Sequence, residues 1–390
     1  MKKLYIYVIF TFSLVLFGNC NTQTGWDKKT KTVLNNVIIQ NAEWAMQQEP
    51  ITITGFSCER SAGGLHDFYS EGDYWWPDPS NPNGPYIRRD GETNPENFVE
   101  HRLVMIRFSK IIGALTSAYI ITGNESYVQH AFKHINAWFV DADTKMNPNL
   151  LYAQAIKGIT QGRGIGIIDT IHLMEVAQGI IRMQKADCVN KEELTKAKGW
   201  FSEYLRWLQT HPNGIDEMNA QNNHGTCWVM QVASFAKLTE NKEILDFCKT
   251  RYKNILLPNQ MADDGSFPKE LARTKPYGYA LFNLDAMTTI CQILSTHDDN
   301  LWEYSTPKGQ NIKKGIDFMY PYIKNKSTWK YPQDVMYWND WPMAQPALIF
   351  GAYAYKNKDY FDLWESLPHA TDVDEVERNL PIRNPLIWLN

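Results

Sequence analysis

Two stretches of this chain carry groups that can work together on an acidic sugar. Gln221-Asn222-Asn223-His224-Gly225-Thr226-Cys227-Trp228 supplies an amide and an imidazole. Asp264-Gly265-Ser266-Phe267-Pro268-Lys269-Glu270-Leu271-Ala272-Arg273-Thr274-Lys275-Pro276-Tyr277-Gly278-Tyr279 supplies a guanidinium and a phenol. In a 4-linked uronan the C5 proton lies beside a carboxylate, and removing it makes a dianionic enolate unless that carboxylate is neutralised first. Elimination therefore needs donors aimed at the carboxylate, a base for C5–H and an acid for the departing O4. Asn223 and His224 are adjacent donors, Arg273 is a fixed positive charge, and Tyr279 can take the proton and return it to O4. Ionising an ordinary phenol at pH 7 costs about 4 kcal/mol. One cation at about 4 Å returns about 4 kcal/mol at an effective dielectric of roughly 20. This chemistry calls for no metal and no cofactor.

Each group has a duller role open to it. His224 sits in an Asn-Asn-His-Gly knot poorly suited to a core, which favours a functional place, whereas Arg273 reads equally well as a surface cation. Tyr277 and Phe282 flank Tyr279, so the residues alone leave Tyr277 as a rival base. His130 and His134 are four apart but lack the glutamate of a zincin, and read as one solvated helix face. Glu270 is a candidate hydrolase acid with no partner carboxylate at a motif, and Asp263-Asp264 read as a turn before Gly265. The glycine run from Gly158 to Gly166 has no strand predicted before it and lacks a Gly-Lys-Ser/Thr ending, which argues against a phosphate loop.

Helices must hold these groups. Apolar spacing predicts helices over 33–48, 98–122, 125–140, 168–184, 191–210, 227–238, 242–255, 283–295, 312–324 and 346–355, each followed by Gly, Pro, Asn or a polar cluster. Strand-like alternation is scarce, and the absence of a fixed-period repeat disfavours a solenoid. The expected fold is all-α: an incomplete (α/α) toroid or barrel of antiparallel helix pairs with a loop-lined cleft, built by residues 21–390 as a single domain. Residues 72–95 break the helical pattern. They are rich in Gly, Pro and Asn yet carry Tyr74, Trp75, Trp76 and Tyr86, as an ordered binding loop would.

Fourteen Trp and twenty Tyr exceed the needs of packing and suit the stacking of sugar rings. The net charge of −4 implies a local positive cleft rather than a basic surface, and no nucleic-acid partner is expected. The cysteines Cys20, Cys58, Cys188, Cys227, Cys248 and Cys291 show no Cys-x-x-Cys spacing, and buried thiols are expected. Residues 1–20 read as an export signal: Lys2-Lys3, an apolar run from Leu4 to Phe17, then Gly18-Asn19-Cys20. Cys20 would become a lipidated N-terminus, with plain cleavage the other outcome. A periplasmic or outer-membrane-anchored location in a Gram-negative bacterium follows. No later apolar run reads as long enough for a membrane helix.

The motifs resemble the alginate lyase superfamily of helical-toroid polysaccharide lyases. The matching residues are Asn223-His224, Asp264-Gly265-Ser266 with Pro268 and Glu270-Leu271, Arg273-Thr274, and Tyr279 leading into Leu281-Phe282-Asn283-Leu284. Further matches are Gly72-Asp73-Tyr74-Trp75-Trp76-Pro77-Asp78-Pro79, Tyr152-Ala153-Gln154 and Gly162-Arg163-Gly164. The resemblance implies Tyr279 as base and acid, His224 and Asn223 as carboxylate neutralisers, and Arg273 as the electrostatic partner of Tyr279. It implies substrate binding by Tyr74, Trp75, Trp76, Gln154, Arg163 and Trp338, with Arg88 and Arg89 standing in for basic lid residues. The chain looks closer to a Bacteroides-type branch acting on mannuronan or glucuronan. In both sugars the C5 proton and O4 share one face of the ring, so one tyrosine can serve both steps. Guluronate has the opposite C5 configuration, and polyguluronate is expected to be a poor substrate. The expected protein is a monomer on an acidic polysaccharide. The competing readings are an α/α-toroid glycoside hydrolase, and a glycan-binding lipoprotein that stacks sugars on Trp75, Trp76 and Trp338 without chemistry.

Overall fold

The computed structural model describes residues 21–389, so residues 1–20, expected to be an export signal ending at Cys20, lie outside the described residues. The chain runs α1 (Asn21–Met46), β1 (Tyr69–Glu71), β2 (Trp75–Trp76), β3 (Ile87–Arg88), α2 (Glu100–Thr122), α3 (Ser126–Phe139), β4 (Tyr152–Ala155), α4 (Leu173–Met183) and α5 (Lys191–Thr210). It continues through α6 (Pro212–Asn219), α7 (Asn223–Leu238), α8 (Lys242–Arg251), α9 (Leu257–Gln260), α10 (Pro268–Leu271) and α11 (Pro276–Leu294). The last elements are α12 (Ile312–Lys324), α13 (Pro346–Tyr355), α14 (Lys358–Ser366) and α15 (Asp374–Arg378).

Burial sorts these helices into two layers. α2, α4, α7, α11 and α13 pack side by side in that order. They are apolar nearly all round, as in Ala347-Leu348-Ile349-Phe350 of α13, and most of their residues are buried. α1, α3, α5, α8, α12 and α14 pack outside them. Their buried residues recur at helical spacing, as Ile312, Gly315, Ile316, Met319 and Ile323 do in α12. This is the expected all-α, incomplete (α/α) toroid.

The layers also differ in how their helices begin. α5, α8, α12 and α14 each start on an asparagine (Asn190, Asn241, Asn311, Asn357) whose side chain accepts from first-turn N–H groups. Such a cap contributes about 1 kcal/mol. α7 and α11 lack a local side-chain cap. Glu270 Oε1 accepts from Asn223 N at 2.7 Å, and Asp334 accepts from the N–H groups of Tyr277 and Gly278, each at 2.8 Å. The helices that open onto the cleft are therefore capped by carboxylates from other segments.

The structure corrects several expectations. α7 and α11 begin at Asn223 and Pro276, earlier than the apolar periodicity suggested, because polar and proline-led first turns carry no apolar signal. α6, α9, α10, α14 and α15 are additional helices. The strand β4 does precede the glycine run and pairs in parallel with β1. The run leads into a 3₁₀ helix at Gly164–Thr170. His130 and His134 are buried, not solvated, and both ring Nε2 atoms meet the carbonyl of Gln48 at 2.9 and 3.2 Å. Burial, reinforced by the neighbouring His130, pushes His134 down to about 4. α2 is long and apolar enough by composition to cross a bilayer, contrary to the sequence reading, but it lies buried between α1, α3 and α4 as a core helix. Of the described cysteines, Cys227, Cys248 and Cys291 are buried and Cys58 and Cys188 partly so, all as free thiols.

Candidate active site

The N-terminus of α7 opens onto a cleft of about 380 Å³. Helix N-termini attract anions through their unpaired N–H groups and aligned dipoles. Asn223 and His224 are the first two residues of this helix. Gly225 follows because α6 approaches so closely: a Cβ there would lie 2.1 Å from the Ala220 carbonyl oxygen. Asn223 is buried, and its Nδ2 donates to Glu270 Oε2 at 2.7 Å, while Oδ1 has no protein partner among the described residues. His224 Nδ1 lies 2.7 Å from Glu217 Oε1 on α6, which leaves Nε2 for the cleft.

The first turn of α11 supplies Tyr279, and the turn before it supplies Arg273. Arg273 Nη2 donates to the Tyr279 hydroxyl at 3.2 Å, and the guanidinium sits 4.3 Å from the centre of the ring. The Tyr74 hydroxyl meets the Tyr279 hydroxyl at 2.7 Å. A phenolate at Tyr279 would thus have two donors. Tyr277, the rival base, is buried and bonds the Tyr322 carbonyl at 3.2 Å, with Trp329 and Trp338 against its ring. It does not line the cleft.

Contrary to what residue types alone suggest, Arg273 does not by itself offset the ionisation of Tyr279. Arg273 is already paired with Asp90, through Nε–Oδ2 at 3.1 Å and Nη2–Oδ1 at 2.8 Å. Burial alone would raise the Asp90 carboxyl, yet the Arg273 bonds and charge, with Thr274, hold it at about 2. Burial and the Tyr74 hydroxyl push Tyr279 well above the usual phenol range, more than Lys275 and Arg273 pull it down. The surroundings of Tyr279 thus favour the neutral phenol over the phenolate.

Of the residues expected from sequence, Asn223, His224, Arg273, Tyr279, Tyr74, Trp75, Arg88, Gln154 and Arg163 line this one cleft. Trp76, Arg89 and Trp338 do not. Trp76 donates from Nε1 to the Glu92 carbonyl and lies under Arg89, whereas Trp338 packs on Tyr277 with Lys326 over its ring. Gln154 has a left-handed φ of 49°, fixed by Ser70 Oγ donated to by its N–H, by Asp169, and by Arg163. Arg88, Arg273 and Arg378 are each paired with an acid. Arg163 is held by the Gln154 oxygens instead, beside Trp75, and makes no ion pair among the described residues. It is the cleft guanidinium whose charge is least spent.

Sequence reasoning missed the cleft floor. Asp73 is buried between Arg102 and Arg378, at 2.7 and 2.6 Å. Burial opposes its ionisation, but the two guanidinium groups outweigh that and hold it at about 2. Arg378 and Asn379 come from α15 and the residue after it, far from any motif. Asp73 lay inside a quoted motif without being chosen, and Glu217 had no signal beyond a helix turn ahead of His224.

A ring of buried helices with an arginine–tyrosine pair facing a helix-N-terminal amide–imidazole pair defines a polysaccharide lyase. The alginate lyase family model matches residues 55–329, and the chain belongs to that family. It is similar to a crystal structure of an alginate lyase from Bacteroides ovatus, at 30% identity and a TM-score of 0.80, covering 95% of this chain and 97% of the other. It is also similar in fold to alginate lyase A1-III from Sphingomonas species A1, at 16% identity and a TM-score of 0.53, covering 83% and 88%. A histidine-to-alanine variant of alginate lyase A1-III complexed with tetrasaccharide matches at 14% identity and 0.57, covering 85% and 89%. No curated protein matches by sequence.

Proposed function

We propose that the chain cleaves β-1,4-linked polymannuronate or glucuronan by syn β-elimination. The carrying observation is that the Tyr279 hydroxyl, Arg273 and the Asn223–His224 corner face one cleft. A uronate carboxylate seated at the α7 N-terminus meets His224 Nε2, the Asn223 Nδ2 hydrogen not taken by Glu270, and the helix dipole. That neutralisation acidifies C5–H. Tyr279 takes the proton and, on the same face of the ring, passes it to O4 as the C4–O4 bond breaks. Arg273 and the Tyr74 hydroxyl stabilise the phenolate that takes the C5 proton and that is regenerated when the proton passes to O4. The buried acids nearby favour this over hydrolysis: Glu270 and Glu217 are engaged by Asn223 and His224 rather than set across a glycosidic bond.

The test is ultraviolet absorption of the unsaturated product on purified mannuronan, glucuronan and guluronan. Product from mannuronan or glucuronan with little from guluronan is expected. Product from guluronan alone would overturn the stereochemical argument, and new reducing ends without absorbance would establish a hydrolase. A second expectation concerns pH. The reactive form of Tyr279 is the phenolate, and its pKa is raised, so that form grows as pH rises toward the pKa. At saturating substrate kcat should climb about tenfold per pH unit from neutral into alkaline solution. A flat kcat across that range would remove Tyr279 as the base.

Export belongs to the same proposal: residues 1–20 direct the chain to the periplasm, with Cys20 lipidated at the outer membrane, where the protein works as a monomer on its polymer. Labelled palmitate incorporated by the native chain and lost in Cys20→Ala would check the anchor.

A further inference from the structure

We propose that Glu217 is a positioning residue that makes His224 hold a proton in order to accept a uronate carboxylate, so that substrate binding takes up a proton. The inference rests on the carboxylate-neutralising role of His224 given above.

The geometry leaves His224 few choices. Its Nδ1 is 2.7 Å from Glu217 Oε1, and the Glu217 side chain is only 1% exposed. Glu217 Oε2 is buried and meets no protein donor among the described residues. α6 cannot back away, because it is wedged between α7 and the segment before α4. A Cβ at Gly225 would strike Ala220 O, and one at Gly164 would lie 2.8 Å from Asp216 Oδ2. The pair is therefore fixed, and only its protons can change.

Two protonation states matter. With one proton shared over the three atoms Oε1, Nδ1 and Nε2, the carboxylate of Glu217 draws it to Nδ1. His224 Nε2 is then a bare acceptor facing the cleft, and it repels a substrate carboxylate. With two protons, one lies between Oε1 and Nδ1 and the other sits on Nε2, which becomes a donor. That holds whether the bridging proton is drawn on nitrogen or on oxygen. Binding a carboxylate thus requires the second proton, and the anion of Glu217 favours that proton through charge. Burial, countered by the charge and hydrogen bond of His224, raises Glu217 itself, which agrees with a carboxyl that readily shares a proton.

The other groups facing the pair do not supply this. Asp216 shares α6, Arg163 faces Glu217 from the loop before the 3₁₀ helix, and Tyr204 faces it from α5. Cys227 faces it from α7, and Glu270 faces His224 from α10. Of these only Glu217 bonds the imidazole.

The experiment follows KM and kcat separately between pH 6 and 9 for the full chain and for Glu217→Gln. In the native protein KM should rise about tenfold per pH unit once the pair loses its second proton, while kcat keeps its own alkaline climb. In Glu217→Gln a neutral imidazole can carry its one proton on Nε2. The alkaline rise of KM should disappear, KM at pH 6 should be higher than native, and the slope of kcat should be unchanged. Glu217→Asp should restore part of the rise. A native KM independent of pH, or a Glu217→Gln variant that keeps the native rise, would overturn the proposal. Should Glu217→Gln fold poorly, ¹⁵N NMR of labelled histidine in the native protein decides. His224, identified by its loss in His224→Ala, should keep Nδ1 protonated throughout and lose its Nε2 proton as pH rises. A bare Nδ1 with a protonated Nε2 at every pH would refute it. Failure of the lyase reading is seen separately, as the absence of ultraviolet-absorbing product from the native protein.

Discussion

Tyr279→Phe is expected to lower kcat by at least about 10³-fold and to leave the affinity for a uronan oligomer within about threefold. The substitution removes one oxygen from a hydroxyl that meets Arg273 at 3.2 Å and Tyr74 at 2.7 Å, and keeps the ring on which the guanidinium lies. Arg273 stays oriented by Asp90, so the cleft keeps its shape. What is lost is the hydroxyl proposed to take and return the proton. Tyr277→Phe provides the contrast. It gives up a hydrogen bond to the Tyr322 carbonyl, about 1 kcal/mol of stability, with turnover near native. Steady-state rates and thermal melts of both variants check the pair of expectations. If Tyr277→Phe were inactive and Tyr279→Phe active, the assignment of the base would be reversed.

Arg273→Ala is expected to lower kcat by about 10²–10³-fold. Arg273 donates to the Tyr279 hydroxyl, and its removal leaves the phenolate with Tyr74 as its hydrogen-bond donor and Lys275 as the nearby cation. Arg273→Lys should recover only part of the loss, because an ammonium cannot hold Asp90 through two parallel bonds and also reach the phenol. The same change costs stability with a defined pH dependence. Asp90 is depressed to about 2 by Arg273, so the pair contributes fully above the unfolded carboxyl value of about 3.9, and that contribution is lost as pH falls through about 2. The melting difference between native and Arg273→Ala protein should be largest near neutral pH and should shrink below about pH 4. A difference that stayed constant into acid would show that Arg273 stabilises the fold by packing rather than by charge.

Among the outer helices α5 and α12 were the easiest to read, whereas α14 was not predicted. α5 and α12 run over the residues that the periodicity predicted, because each has a continuous apolar stripe and an asparagine at its start. The inner helices that carry the site were less legible at their starts. The first turn of α7 is Asn-His-Gly-Thr and that of α11 is Pro-Tyr-Gly-Tyr, neither with apolar spacing, and their caps come from Glu270 and Asp334. The aromatic loop gave a mixed result for the same reason. Tyr74 and Trp75 enter the cleft, but Trp76, one residue on, is tied by its indole to the Glu92 carbonyl. In an extended segment side chains alternate sides, so composition marks the loop as a binding element without saying which rings face the sugar.

Residue type and spacing by themselves determined the helical class and suggested the proposed chemistry, because a phenol, a guanidinium, an amide and an imidazole limit what can be done to a uronate. With the family resemblance, they pointed to most of the residues that line the cleft. Tertiary structure alone decided which tyrosine faces the cleft, that Asp90 holds the charge of Arg273, and that Glu217 stands behind His224. It alone brought Arg378 and Asn379 from α15 to the floor. The reason is range. Periodicity and capping act between residues a few positions apart, whereas burial, ion pairing and pKa depend on neighbours supplied by distant parts of the chain, whose identity exists only once the helices have packed.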